Sequence, residues 1–145
     1  ILLAADQTGL TGLWFVGQKY FPSFSDGDFF ENETPVLTEA KHWLSLYFSG
    51  KEPDFLPPLH PQGSSFRQAV WNVLLTIPRG QTMTYGEIAR RLNVCSAQAV
   101  GGAVGHNPIS ILIPCHRVVG SDGSLTGYAG GLARKEWLLH LEGAR

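Results

Sequence analysis

The chain has 145 residues, of which 43% are hydrophobic and 16% charged, and this is enough apolar material for a packed core in one domain or two small lobes. No apolar run could span a bilayer, no signal-peptide pattern opens the chain, and two cysteines are too few for a disulfide framework. We therefore expect a cytoplasmic protein with no membrane association. The net charge of −1 is unevenly divided, because residues 1–61 have three lysines against eight acidic residues and residues 62–145 have eight Lys or Arg against four. A basic C-terminal part favours an anionic partner such as DNA, although an ordinary solvated surface can carry the same charge.

The first 50 residues predict a small sheet followed by a helix. Two short apolar segments flank a glycine-containing turn in residues 1–17, which is typical of a β-hairpin. An acidic, phenylalanine-rich loop fills residues 21–33, and the helix after it has Thr34 as N-cap, Pro35 at its first position and Gly50 past its end. Apolar residues recur at helical spacing and are expected to face a core: Val36, Leu37, Ala40, Trp43, Leu44, Tyr47 and Phe48.

A proline-rich stretch divides the chain into two parts. We assign residues 1–58 to an N-terminal lobe of sheet and helix, residues 59–63 to a linker, and residues 64–145 to a C-terminal domain. A helix capped by Ser64 or Ser65 is expected to open that domain. Its apolar stripe consists of Phe66, Ala69, Val70, Val73, Leu74 and Ile77.

Two short helices separated by a tight turn predict a helix-turn-helix pair. The first has a capping box at Thr84–Glu87 and extends to about Leu92, and the second begins at Ser96 and ends before Pro108. The second would be the recognition helix of a DNA-binding pair. Helix pairs also occur in domains that contact no DNA, so periodicity alone leaves this open.

The second helix of the pair contains Gly101, Gly102 and Gly105. Each glycine costs roughly 1 kcal/mol of helix propensity relative to alanine, so such a helix needs close approach to something. Tight packing against a neighbouring helix and a smooth face lying on nucleic acid are both consistent with this pattern.

The last part of the chain predicts a wing and a helix. Residues 118–125 have the pattern of two strand ends around an Asp122–Gly123 turn, which favours a wing-like hairpin beside the helix pair. Glycines then precede a helix from about Leu132 to Leu141, with Glu142 at its end.

A cysteine and a histidine follow the buried apolar run 109–114. A buried structural residue is the ordinary interpretation of Cys115. A reactive thiol needs its pKa lowered by a neighbouring base or cation, and His116 is adjacent in sequence. Adjacent side chains on an extended strand point to opposite faces, so contact would require a turn, a helical start or a bridging water.

Residues 107–143, NPISILIPCHRVVGSDGSLTGYAGGLARKEWLLHLEG, closely resemble the DNA-repair alkyltransferases, the methylated-DNA–protein-cysteine methyltransferases. The Pro-Cys-His-Arg-Val element at residues 114–118 is the signature of that family, and the resemblance covers residues 64–143. Residues 1–58 resemble the family more loosely. The resemblance implies an α+β (α/β) fold, with a small sheet-and-helix lobe and a helical winged helix-turn-helix-like lobe that carries the active-site cysteine.

The resemblance also implies a single-use DNA-repair reaction. An alkyl group would pass from O6 of guanine, and from O4 of thymine, to Cys115 by in-line displacement, leaving a thioether that consumes the protein. His116 would take the thiol proton through a water, and Glu142 would orient His116. The partner would be double-stranded DNA, bound in the minor groove by a monomer with the damaged base flipped out. No cofactor is implied, and the location would be cytoplasmic, at the nucleoid or in a nucleus.

Three further side chains are implied to support the reaction. Asn107 would tie the helix end to the active-site segment, Tyr85 would donate a hydrogen bond or proton to the guanine, and Lys135 would favour the thiolate. Tyr128 and the glycines after it would shape the pocket, and backbone groups near Val118 and Ala129 would contact the base edge. The residues implied to contact DNA or the base are Thr82, Gln98, Ala99, Gly101, Gly102, Arg117, Val118, Ser121, Tyr128 and Ala129.

The sequence departs from the family pattern at the recognition helix and in the first lobe. Gln98 stands where an arginine commonly enters the gap left by the flipped base, which predicts weaker DNA binding or slower flipping. Some members bind zinc in the N-terminal lobe, but this lobe has no cysteine and only His42 and His60, so no metal is expected.

Three other functions compete with alkyl transfer. A non-catalytic alkyltransferase-like lesion binder would have another residue at Cys115, usually tryptophan. A transcription regulator would need more base-reading side chains on the recognition helix than Gln98, His106 and Asn107. A cysteine hydrolase would show multiple turnover on an ester.

Overall fold

The computed structural model describes residues 1–22 and 30–145. Most of the acidic, phenylalanine-rich loop expected at residues 21–33 therefore lies outside the described residues. The described chain combines helices with small two-stranded sheets, which confirms the predicted α+β class. Within the described ranges, no helix is both long and apolar enough to cross a membrane.

The N-terminal lobe contains the predicted hairpin and helix. Strands β1 (Leu2–Ala5) and β2 (Leu10–Trp14) pair antiparallel, and helix α1 (Pro35–Phe48) follows. The Thr34 hydroxyl accepts a hydrogen bond from the backbone N–H of Leu37, so the predicted N-cap is confirmed. Phe48 was expected to face the core, but it lies at the last turn and is 38% exposed, so that expectation is wrong.

The proline-rich stretch lies against β2. Leu10 donates its N–H to the carbonyl of Pro58 at 2.8 Å, and His60 donates to the carbonyl of Leu10 at 2.7 Å. Leu13, on the same strand, donates to the carbonyl of Pro108 at 2.8 Å. Strand β2 is therefore hydrogen-bonded to the linker and to the segment that leads to Cys115.

The C-terminal domain begins with three helices, α2 (Ser65–Leu74), α3 (Tyr85–Leu92) and α4 (Ala97–Gly105). All three starts follow the predicted punctuation. Side chains of Ser64, Thr84 and Ser96 accept hydrogen bonds from backbone N–H groups of the first turns. The capping box at Thr84 and Glu87 is complete in both directions.

Trp71 joins α2 to α4. Its indole Nε1 donates to the carbonyl of Ala103 at 2.8 Å, and the side chain is 1% exposed.

Replacing Trp71 by phenylalanine removes that donor and leaves a cavity, so we expect the free energy of unfolding to fall by about 2–4 kcal/mol. Urea unfolding followed by circular dichroism measures it. Trp137→Phe is the matched control, because Trp137 is 54% exposed, and equal losses in the two variants would contradict this assignment.

The wing hairpin is not formed. Strand β4 (Val118–Val119) pairs parallel with β3 (Met83–Thr84), and among the described residues no strand follows the Gly120–Ser124 turn. Val118 and Val119 are both buried, and their backbone pairs with β3 instead of with a second wing strand. The last helix, α5 (Leu132–Leu141), has the predicted bounds.

Candidate active site

Cys115 lies at the start of a 3₁₀ helix formed by Cys115–Arg117. Its side chain is 6% exposed and lines a cavity of about 440 Å³. The run 109–114 that leads to it is buried as predicted, and most of it forms turns. A helical start at Cys115 is one of the arrangements that allow Cys115 and His116 to serve one site.

The turn before Cys115 is held by Asn107. Its Nδ2 donates to the carbonyl of Ile113 at 2.8 Å, and its Oδ1 accepts from the N–H of Ile109 at 3.0 Å. Ile111, inside this turn, has a φ of 72°, a strained value for a β-branched residue. The Asn107 side chain thus hydrogen-bonds to two points of this turn, and its role in the reaction stays a prediction.

His116 and Glu142 form a buried pair. His116 Nε2 lies 2.7 Å from Glu142 Oε2, and both side chains are fully buried. Burial lowers the pKa of His116, so the ring is neutral at pH 7 and Nε2 carries the proton donated to the carboxylate. His116 Nδ1 is then a free lone pair, and it has no hydrogen-bond partner among the described residues. This is the tautomer a general base requires.

Glu142 accepts hydrogen bonds from three residues in two elements of the fold, the 3₁₀ helix and α1. Arg117 donates from Nε to Oε1 at 2.8 Å and from Nη2 to Oε2 at 3.0 Å, and Tyr47 donates its hydroxyl to Oε2 at 2.5 Å. Burial alone would raise the pKa of Glu142, but the hydrogen bonds from His116 and Arg117 outweigh it and hold the pKa at about 2. The carboxylate is therefore charged throughout the neutral range.

The lowered pKa of Glu142 predicts that the folded state loses stability at acid pH. Because the folded-state pKa of Glu142 is about 2 against an ordinary 4.5, the stability it contributes is present above about pH 4.5 and is lost as pH falls towards 2. Urea unfolding midpoints measured between about pH 7 and pH 3 should fall less steeply in Glu142→Gln than in the parent. The exposed Glu136→Gln should follow the parent, and a parallel decline in all three proteins would rule the explanation out.

Arg117 was expected to contact DNA, and its placement does not support this. Its side chain is only 12% exposed and pairs with Glu142. Its Nη1 also donates to the carbonyl of Ile77 at 2.6 Å, at the end of the segment that follows α2. The guanidinium is thus committed to a bidentate pair inside the domain.

The thiol is not a resting thiolate. Burial raises the pKa of Cys115, while a hydrogen bond with Asn107 and the charge of Lys135 oppose the rise. Lys135 is itself buried, with Nζ donating to the carbonyls of Thr126 and Gly127 at 2.8 and 3.2 Å. Burial lowers the pKa of Lys135 to about 8, which leaves it mostly charged at neutral pH. Deprotonation of Cys115 therefore needs a base.

The cavity walls contain several of the predicted side chains. Tyr85, Gly101, Gly102, Tyr128 and Ala129 line it together with Cys115. The Tyr85 hydroxyl lies 3.5 Å from the carbonyl of Thr126. The thiol, two tyrosines and a glycine-bearing helix face thus meet in one concave site.

Other predicted residues lie elsewhere. Val118 is fully buried in its pairing with Met83 and does not line the cavity. Thr82, Gln98, Ala99 and Ser121 are exposed. Gln98 and Ala99 occupy the first turn of α4, the helix whose glycines line the cavity.

One wall of the cavity was not predicted from the sequence. Lys19 and Tyr20 of the N-terminal lobe line it, and Tyr20 stacks on His106 with ring centroids 4.0 Å apart. Lys19 donates its N–H to the carbonyl of Ala129 at 3.0 Å, which joins this loop to the opposite wall. Nothing local in the sequence marks these contacts, because they join lobes that are far apart along the chain.

No metal-binding cluster is found in residues 1–22 and 30–145, where three His, Cys, Asp or Glu side chains never gather closely enough to hold an ion. The cavity is instead lined by a thiol, aromatic rings, glycines and a lysine. The chemistry it offers is that of a nucleophile with a nearby base.

Two family models cover nearly the whole chain. Residues 65–144 match the DNA binding domain of 6-O-methylguanine DNA methyltransferase, and residues 1–61 match its ribonuclease-like domain. The chain belongs to the 6-O-methylguanine DNA methyltransferase family. It is accordingly a DNA-repair enzyme of the class that transfers an alkyl group from DNA to a cysteine of the protein.

Relatives and solved structures agree with this assignment. A methylated-DNA–protein-cysteine methyltransferase of Methanosarcina acetivorans is 47% identical, covering 99% of this chain and 92% of the relative. One of Mycobacterium tuberculosis is 44% identical, covering 100% and 87%. The structure of M. tuberculosis OGT in complex with DNA is similar with a TM-score of 0.85 at 43% identity, covering 98% and 85%. S. pombe ATL in complex with DNA is similar with a TM-score of 0.52 at 33% identity, over 58% of this chain and 81% of that one.

Proposed function

We propose that Cys115 accepts an alkyl group from O6 of guanine, and from O4 of thymine, in double-stranded DNA. The observation that carries this is a nearly buried thiol in the wall of a 440 Å³ cavity, next in sequence to a histidine that burial keeps neutral and a buried carboxylate orients. Cavities of this size hold ligands such as a flipped base. The named relatives act on methylated DNA.

The transfer is a displacement at the alkyl carbon. Neutral His116 takes the proton of Cys115 at Nδ1 through one water, since neither nitrogen of His116 bonds the sulfur directly. The sulfur then forms a bond to the alkyl carbon as the bond from that carbon to O6 breaks. The electron pair returns to the guanine, where Tyr85, on the cavity wall, supplies a hydrogen bond or proton to the developing charge.

The products are an intact guanine and a thioether on Cys115. A thioether sulfur has no proton to lose, and water at neutral pH does not break its bond to the alkyl carbon. The protein therefore acts once. His116 ends as an imidazolium beside the charged Glu142, which stabilises it. Each chain should therefore remove a single alkyl group.

The DNA would lie against α4, in the minor groove. A Cβ built on Gly102 meets nothing within 4 Å, so this face of the helix is smooth and open. Small residues permit close approach to the duplex, and most contacts would be to the backbone, with the damaged nucleotide rotated into the cavity. A monomer suffices, because the thiol, the base and the cavity all belong to one chain.

Intact-mass spectrometry after mixing the protein with a duplex containing O6-methylguanine tests the proposal. We expect a gain equal to one methyl group replacing one hydrogen, saturating at one per chain and absent from Cys115→Ser. Retained lesion binding with no mass gain would instead indicate an alkyltransferase-like binder. Repeated turnover of an ester with no adduct would indicate a hydrolase.

Gln98 sets the strength of the DNA contact in this scheme. Replacing it by arginine adds a charge on the exposed first turn of α4, at the position expected to enter the gap left by the flipped base, so we expect tighter binding with a steeper salt dependence, and faster transfer. Fluorescence anisotropy at several salt concentrations, with single-turnover rates alongside, measures both. Gln7→Arg adds the same charge in the exposed β1–β2 turn and is the control. No change in affinity or rate for Gln98→Arg would overturn the idea.

A further inference from the structure

The carboxylate that orients His116 is also bound by a tyrosine from the other lobe. Tyr47 lies on α1 and donates its hydroxyl to Glu142 Oε2 at 2.5 Å. The same oxygen accepts from His116 Nε2 at 2.7 Å and from Arg117 Nη2 at 3.0 Å. The Tyr47 side chain is 1% exposed, so this bond is largely shielded from solvent.

Arg79 holds the two helices that bring these groups together. Its Nη1 donates to the carbonyl of Lys51 at 3.0 Å, and its Nη2 donates to the carbonyls of Gly50 and Leu141 at 3.2 and 3.3 Å. These carbonyls follow α1 and end α5, the helices that carry Tyr47 and lead into Glu142. The guanidinium also lies over the Tyr47 ring, 5.3 Å from its centroid.

We propose that Tyr47 is a positioning residue of the transfer reaction, acting through Glu142 to keep His116 in its neutral, proton-accepting form. This inference rests on the proposed transfer to Cys115. Tyr47 and Arg117 donate to Oε2 of Glu142 together with His116. These bonds fix the position of Oε2 beside His116 and spread the negative charge of the carboxylate over three donors. With the Tyr47 bond removed, more of that charge acts on His116, and the imidazolium is favoured before the thiol proton has moved.

Tyr47 can keep this role at all working pH values. Burial and the charge of Glu142 raise its pKa, so the hydroxyl stays protonated and remains a donor. The groups that face the pair come from four parts of the fold. They are Tyr47 from α1, Arg79 from the segment after α2, Arg117 from the 3₁₀ helix and Lys135 from α5.

Tyr47→Phe removes the hydroxyl and keeps the ring, which stacks on Trp43 with centroids 5.2 Å apart. The single-turnover rate of methyl transfer to Cys115 is measured against pH with the full chain and excess protein. On the acid side of the profile, we expect the pH at which the rate has fallen to half to be about half a pH unit to one pH unit higher in Tyr47→Phe than in the parent. At high pH, the rate should be within about threefold of that of the parent. Trp43→Phe is the matched control, because it disturbs the same packing and leaves the hydroxyl in place.

An unchanged acid limb in Tyr47→Phe would overturn the proposal and leave Tyr47 a purely structural residue, however much stability is lost. A shift of the same size in Trp43→Phe would overturn it as well. If the parent protein itself acquires no methyl group at Cys115, transfer fails before any variant is compared. The failure of the proposed function is then distinguishable from that of the role of Tyr47.

Discussion

Arg117→Ala is expected to lower the free energy of unfolding by about 3–5 kcal/mol, because it leaves the buried charge of Glu142 without its bidentate partner. Arg117→Lys should recover only part of this loss, since an ammonium cannot reproduce the two parallel bonds of the guanidinium. Urea unfolding at neutral pH measures both variants. Arg90→Ala, at an exposed position of α3, is the control and should change stability by about 0.5 kcal/mol or less.

The same variants separate a structural role from a DNA contact. A phosphate-binding arginine would lower DNA affinity and flatten its salt dependence when it is removed, with little effect on stability. We expect the opposite for Arg117, whose side chain is 12% exposed. Folded Arg117→Lys with unchanged stability and weakened, less salt-dependent DNA binding would show that the inward pairing is not its main function.

His116→Gln is expected to slow methyl transfer by about 10²–10⁴-fold at neutral pH. A glutamine amide can still donate to Glu142, but its carbonyl oxygen is too weak a base to take the thiol proton. The rate should recover towards high pH, where hydroxide removes that proton from Cys115. Single-turnover intact-mass measurements across the pH range give the profile.

His140→Gln is the matched control for this prediction. His140 is exposed on α5 and bonds only the carbonyl of Arg145, at 3.1 Å, among the described contacts. Its replacement should leave the rate unchanged. A His116→Gln protein that transfers within about threefold of the parent at pH 7 would remove His116 from the mechanism.

The helices were predicted well from the sequence, because the side chain that caps each helix is close in sequence to the backbone N–H that it bonds. Thr34, Ser64, Thr84 and Ser96 each bond a backbone N–H three residues away, so the capping signal and the structure it produces occupy the same few residues. Cys115 was identified by its motif in the same local way. Its burial was expected, but the cavity beside it depends on distant segments.

The errors arose where a segment bonds to a distant partner. Val118–Val119 has the composition of a hairpin strand, but its partner is β3, more than 30 residues earlier in the chain. The burial of the run 109–114 was predicted, but its turn was not, because Asn107 and β2 hold the run with Ile111 in the left-handed region. The pairing of Arg117 with Glu142 was likewise not predicted, because it depends on the folded position of Glu142, and the expected DNA contact of Arg117 stays a prediction.

The burial of Cys115, beside the buried pair of His116 and Glu142, affects how readily small electrophiles and oxidants can damage its thiol. Folding brings Glu142 into hydrogen-bonding contact with His116 and Tyr47, which are distant from it along the chain. The sulfur of Cys115 stays protonated until a base removes its proton, because burial raises the pKa of Cys115. A protonated thiol at 6% exposure reacts poorly with free electrophiles and oxidants, since the thiolate is the reactive form. We therefore expect Cys115 to react slowly with small electrophiles in solution and faster with an electrophile that is bound in the cavity.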